Sequence, residues 1–563
     1  VATSVVWFKR DLRLDDHRPL ALAAARGPVV ALYVYEPSLL HSPEFDPAHF
    51  AFIDECLAAL DHALRGRGIA LTLRTGELPQ VLDALRREVP FVALWSHEET
   101  GNRLTFDRDR AVGRWCRANG VAWTELPQTG VVRRLERRDG WARRWAQRMG
   151  EPVAEVPARL AGPSGLDHQH RLAPEALGLP RSSRPAAQRG GEPAARATLA
   201  HFLAERGVDY RRGMSSPVTA FERCSRLSPH LAWGSISMRR VAQAAAARAL
   251  EVRAQRAAGG DIDPRWAASL HSFQGRLRWH CHFMQKLEDE PRIEFENFAR
   301  SCDGLRDAAP MLPGSEAVAR LLAWQQGETG YPMVDACMQA LARSGWINFR
   351  MRAMLVSFAS YHLWLHWTHS APFLARAFLD FEPGIHYSQF QMQSGTTGIN
   401  TLRIYSPAKQ LLDHDPEGVF VRAQLPALAR VPARYLAEPQ RMPASVQREA
   451  GCIIGRDYPA PIVDHASAYR QARERFAAIR RSPEARIEAD AIQLRHGSRR
   501  SGLPPTSTGG RRSGPPTDTP GGRGSAASAR ARRGSTAAAA AAAGQASLWD
   551  DAGDDRIVRE AAS

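Results

Sequence analysis

Lysine is nearly missing from this chain. Of 75 lysines and arginines, only Lys9, Lys286 and Lys409 are lysines. Together with the many alanines, this reads as a genome-wide bias, so arginine content alone is no sign of function. Charges interrupt every hydrophobic run, which leaves no apolar stretch long enough for a membrane-spanning helix. No membrane partner is therefore expected. The start, Val1–Leu14, has no basic region followed by an apolar core and does not read as a signal peptide. The seven cysteines are odd in number, scattered, and contain no C-x-x-C pair. That argues against a disulfide framework, a zinc site and a cysteine-ligated iron–sulfur cluster. A reducing, cytoplasmic setting is the expectation. No G-x-G-x-x-G follows the first strand pattern, so the usual dinucleotide fingerprint is missing too.

What is present suits two or three domains: 563 residues, 44% hydrophobic and 24% charged. The net charge is +16, which favours a polyanionic partner. Part of that excess is local. Residues 495–533 hold nine arginines and one acid, whereas 534–563 hold two arginines and five acids. The preceding chain stays basic, so nucleic acid is the expected large partner.

Residues 1–130 alternate short apolar runs with amphipathic stretches. Ser4–Phe8, Val29–Tyr35, Ala70–Arg74, Phe91–Trp95 and Ala122–Leu126 read as strands buried on both faces. Phe50–Leu64 and Leu78–Arg87 read as crossover helices. The pattern predicts a doubly wound parallel α/β sheet. Residues 131–200, rich in Pro, Gly and Arg, are expected to form an inter-domain linker. Helical periodicity dominates 201–485, with Arg265–Glu288 and Tyr331–Trp367 dense in aromatics, and predicts an all-α domain. Residues 486–563 turn to Gly, Pro, Ser, Arg and an alanine run, a low-complexity composition expected to be disordered.

Chemistry concentrates in the helical half. Cys224-Ser225-Arg226-Leu227-Ser228-Pro229-His230-Leu231 offers hydroxyls, backbone N–H groups and an arginine just before a helix, the makings of a phosphate cradle. The same residues suit an ordinary capped helix, with Ser228 as N-cap and Pro229 at the first helical position. Two further segments follow, Gly330-Tyr331-Pro332-Met333-Val334-Asp335-Ala336 and Gly345-Trp346-Ile347-Asn348-Phe349-Arg350-Met351-Arg352. The first strand runs straight into Lys9-Arg10-Asp11-Leu12-Arg13-Leu14-Asp15-Asp16. With Arg403–Pro407 and Asp457–His465, and in this order, these segments resemble the photolyase/cryptochrome family of blue-light flavoproteins over about residues 3–485.

The resemblance implies FAD held in the helical domain. Tyr210 and Cys224, Ser225, Arg226, Leu227 and Ser228 match the family's pyrophosphate and ribityl contacts. Trp279 matches a pocket tryptophan, Trp346 and Arg352 match residues beside the isoalloxazine, and Asn348 is a further cofactor-binding candidate. Asp380 matches the second acid of an Asp-x-Asp pair whose first position reads Phe378. The residue facing flavin N5 aligns with Gly384 or its neighbours. The lesion pocket departs from the family: Arg276 stands for a glutamate, Phe349 for an asparagine and Phe390 for a tryptophan. The paired histidines of (6-4) lesion enzymes read Asn348 and Ala353. Arg276, Arg278, Arg350 and Lys409 are candidates for a DNA-binding rim. Of the family's tryptophan path, Trp367 matches the middle member, while Ser388 and Gly314 replace the others. Trp364, Tyr361 and Tyr387 are candidate substitutes. His97-Glu98-Glu99 and Asn102-Arg103 follow the fourth strand, where a folate or deazaflavin antenna binds in relatives; an empty or flavin-filled site is the alternative there.

Two functions follow from the resemblance. One is a light-driven photolyase repairing cyclobutane pyrimidine dimers in DNA. The other is a cryptochrome-type photoreceptor without repair activity. A monomer is expected. Near the end, Gln545-Ala546-Ser547-Leu548-Trp549 resembles the short peptide by which bacterial repair proteins dock on the sliding clamp. Chance similarity in a biased tail is the competing reading.

Overall fold

The computed structural model describes residues 2–400 and 402–497. Five parallel strands, β1 (Thr3–Phe8), β2 (Val29–Tyr35), β3 (Leu71–Thr75), β4 (Phe91–His97) and β5 (Ala122–Leu126), pair in the order β3-β2-β1-β4-β5. The first four are almost wholly buried, which is why they read as apolar runs. Helices Pro47–Arg65 and Leu78–Glu88 are among the crossovers. The strand order reverses between β1 and β4, so the loops after these strands open at the switch point of the sheet.

The loop after β1 explains its charged sequence. It clasps the helical half. Arg13, 2% exposed, donates to the Gly234 carbonyl at 2.9 Å. Arg10 donates to the Phe381 carbonyl. Asp15 and Asp16 accept from Arg240 and Arg239. These bonds pair the loop's buried charges, which an unpaired guanidinium could not tolerate.

Residues 131–200 hold more structure than a linker. Helix Trp141–Gly150 buries Trp141, Trp145 and Met149 in one core cluster with Leu277 and Cys281. In the helical half, Met238–Ala257 and Arg265–Asp289 are the longest elements. The expected helix Tyr331–Trp367 is broken. It forms Pro332–Ser344, then Phe349–Ser357 and a π-helical turn Phe358–His362. Gly345 takes φ +68° at the first break, a conformation that strains any residue with a Cβ. A Cβ there would also lie 3.0 Å from that of Leu379. The tail begins later than position 486. Helix Pro483–His496 carries on because Ile492 packs with Leu287, Ile293 and Phe298 and buried His496 bonds Glu290. The clamp-like peptide Gln545–Trp549 lies outside the described residues. Among the described residues no helix is long and apolar enough to cross a membrane.

Candidate functional site

The loop 224–228 folds over Trp346. Helix Pro217–Arg223 ends at Cys224, and Arg226 adopts φ +59°, rare for a residue with a side chain. That turn throws the guanidinium over the Trp346 ring, 4.0 Å from its centre, and 5.2 Å from that of Phe221. Ser228 is the first residue of the short helix Ser228–Ala232, so the N-cap position falls on Leu227 rather than Ser228. The Ser228 hydroxyl is free for other work and accepts from Trp346 Nε1 at 3.3 Å. Ser225 Oγ accepts from the Leu227 N–H.

Arg352 and Asp380 form a two-pronged pair at 2.9 and 2.8 Å. Burial alone would raise the Asp380 carboxyl, but Arg352, Ser228 and Arg226 together hold it below the usual carboxylate range. It is therefore ionised at neutral pH. Tyr210 is buried between Phe202 and Phe273, and its hydroxyl bonds the Arg276 side chain. Arg276 therefore turns towards the cradle rather than outwards.

The cradle carries excess positive charge. Arg226, Arg206, Arg352 and Arg276 all act on the Cys224 thiol, which burial nonetheless pushes up to about 12. Asp380 answers Arg352, and Glu222 acts on Arg206. Burial lowers Arg226 to about 10. Arg226 Nη1 and Arg206 Nε are buried with no hydrogen-bond partner. Orphaned buried guanidinium atoms are costly and point to an absent anion. A pyrophosphate fits this donor set, and Trp346 beneath Arg226 offers a flat apolar wall.

The other expected residues divide. Asn348 stands at the N-cap position of Phe349–Ser357 without a side-chain capping bond; its amide donates to the Met214 and Ser215 carbonyls, while its Oδ1 is buried without a partner. Trp279 packs against His282 and Phe283. Arg278 lies over Trp145. His414 is lowered to about 4, by burial first, with Arg350 and Lys409 adding to it. Trp367 is buried and donates to Asn297 Oδ1 at 2.9 Å.

Two residues escaped the sequence reading. Glu382 stands two positions after Asp380, so this chain has its own acid-x-acid pair without invoking Phe378. It is buried 3.8 Å from Arg10, and burial raises it to about 7. His386 packs among Phe378, Phe381 and Phe390, donates to the Ala371 carbonyl, and burial holds it neutral at about 3. Gly384 has a packing reason: a Cβ there would meet the Met284 backbone at 2.5 Å.

At the switch point the expected antenna acids differ in availability. Glu99 is committed to Lys9 and Arg108 and accepts from the Thr100 and Gly101 N–H groups. His97 bonds Asp11, and Asn102 caps helix Arg103–Ala118. Glu98 keeps freer surroundings near Arg133 and Arg148, and burial raises its carboxyl. A pocket beside them is lined by Lys9, Glu98, His280 and Glu382.

Comparison with known proteins agrees with this geometry. Residues 273–478 match the family described as "FAD binding domain of DNA photolyase", and residues 4–146 match "DNA photolyase". The deoxyribodipyrimidine photo-lyase of Halobacterium salinarum is 29% identical, over 84% of this chain and 98% of its own length. Cryptochrome-1 of Sinapis alba is 28% identical, over 86% and 97%. The crystal structure of a bacterial class III photolyase from Agrobacterium tumefaciens superposes with a TM-score of 0.74 at 26% identity, over 86% and 98%.

Proposed function

Because this chain belongs to the photolyase/cryptochrome family, we propose that it is a light-driven, FAD-dependent DNA photolyase acting on cyclobutane pyrimidine dimers. The observation that carries the reading is the buried arginine cluster around Cys224, with orphaned guanidinium atoms on Arg226 and Arg206. When bound, reduced FAD supplies the light-excited electron that splits the cyclobutane ring and is then returned. Arg226 and Arg206 hold the pyrophosphate by charge-assisted hydrogen bonds. Ionised Asp380, fixed by Arg352, presents carboxylate oxygens to polar edges of the group. Trp346 closes one wall against water. Trp279, half-buried beside Phe283, serves as a stacking surface for a flipped base.

A cryptochrome-type photoreceptor is the second reading. It is favoured by the lesion-pocket positions, where Arg276, Phe349 and Phe390 replace the residues typical of photolyases. Illuminating the reduced protein with dimer-containing single- and double-stranded DNA, and counting restored thymines, separates the two. Restoration on either substrate is the expected result. FAD retention with no restored thymine on either leaves the photoreceptor.

A further inference from the structure

We infer that Tyr387, hydrogen-bonded to Glu44, is the residue that surrenders an electron and a proton when light reduces the oxidised cofactor. The inference rests on the FAD-binding reading above and names the route by which that site is refilled with electrons. The Tyr387 hydroxyl donates to Glu44 Oε1 at 2.8 Å, joining residues on opposite sides of the domain boundary. Oxidising a tyrosine releases its phenolic proton, so a carboxylate already in hydrogen-bond contact is the acceptor the reaction needs. Glu294, a second carboxyl acting on the same phenol, is itself raised by burial to about 7. Negative charge beside the ring favours the loss of an electron.

The other candidates are arranged against oxidation. Trp364 is sandwiched between the guanidinium groups of Arg306 and Arg475, 4.6 and 4.4 Å from its ring centre. Two cations there oppose formation of a radical cation. Tyr361 also lies under Arg306, and its hydroxyl is buried with no acceptor. Tyr387 also sits in a run of aromatic rings. Its ring neighbours His386 at 5.4 Å and Trp367 at 6.2 Å. His386 touches Phe378, which lies under Arg352 of the cofactor site.

The step balances. One electron leaves Tyr387 for the light-excited FAD. The phenolic proton crosses the existing hydrogen bond to Glu44. A thiolate in solution then gives one electron to the neutral tyrosyl radical, becoming a thiyl radical, and Glu44 returns the proton to the phenolate. The test uses the full chain carrying oxidised FAD, with dithiothreitol, in H2O and D2O. It follows flash-induced radicals by optical and electron paramagnetic resonance spectroscopy, with bound flavin and melting recorded for each variant. A tyrosyl signal, slower to form in D2O, is expected in the wild type and lost in Tyr387→Phe. Glu44→Gln should keep FAD and slow radical formation by on the order of 100-fold. Trp364→Phe should leave it unchanged. FAD-loaded, folded Tyr387→Phe and Glu44→Gln proteins that photoreduce at the wild-type rate overturn the inference while leaving the flavin site intact. So does a wild type that forms no tyrosyl radical. A wild type that retains no FAD overturns the functional reading itself.

Discussion

Arg226→Ala should move cofactor affinity and flavin-free stability in opposite directions. Without an anion, the Arg226 guanidinium is buried, left-handed in backbone, and short of a partner at Nη1. Burial holds it at about 10 instead of 12.5. A depression of that size corresponds to about 3 kcal/mol against the charged form as a ceiling. Losing the stack on Trp346 returns about 1 kcal/mol. The flavin-free variant should therefore gain on the order of 1–2 kcal/mol. Arg226→Gly should gain about 1 kcal/mol more by relieving the positive φ. In the loaded protein the same guanidinium makes a charge-assisted bond worth about 1.5–3 kcal/mol, so FAD Kd should rise on the order of 10- to 100-fold. Urea melts of flavin-stripped protein and fluorescence titration with FAD measure the two halves. Unchanged FAD affinity, or a stripped variant less stable than wild type, would refute the assignment of Arg226 to an anion.

Asp380→Asn strands Arg352 among other cations and should cost about 3 kcal/mol in a urea melt, with the flavin visible spectrum shifted. His49 and His230 have folded pKa values of about 4 and His386 of about 3, against 6.5 when unfolded. These buried neutral rings take nothing from stability above pH 6.5. Below it each withdraws about 1.4 kcal/mol per pH unit until its folded pKa is reached. Urea midpoints should accordingly fall between about pH 7 and pH 5, and less steeply in His386→Gln. DNA affinity should drop steeply with salt, and the double variant Arg350→Ala/Lys409→Ala should flatten the log–log slope by about two. A pull-down with the bacterial sliding clamp should lose recovery in Leu548→Ala/Trp549→Ala; equal recovery makes the resemblance accidental.

The first four strands were readable because burial on both faces writes itself as short, mainly apolar runs, whereas β5, expected to be buried too, is a half-exposed edge. The cradle was readable because it is local: Cys224 to Ser228 are consecutive, and their order carries the family resemblance. The break at Gly345 lies inside a run of helix-compatible residues, and only Leu379, brought there by the fold, explains the glycine. Glu382 and His386 were missed because their environment, not their spacing, gives them meaning. The Tyr387–Glu44 contact joins positions 343 residues apart, beyond any pattern in a single sequence. The rim was not legible for a similar reason. Four basic residues near motif positions say nothing about which way each one points, and Tyr210 captures Arg276.

The scarcity of lysine becomes practical once the three are placed. Lys9 is sealed between Trp7, Asp109 and Glu99, and Lys286 is 6% exposed beneath Phe283. Lys409 alone among them projects into solvent, tethered only to Asp413 one helical turn away. The sequence beyond residue 409 holds no other lysine. Apart from the chain's own amino terminus, an amine-reactive dye or crosslinker thus has one address on this molecule. A fluorophore attached there sits beside Arg350 and His414, so its emission reads out, without mutagenesis, whether nucleic acid approaches that face.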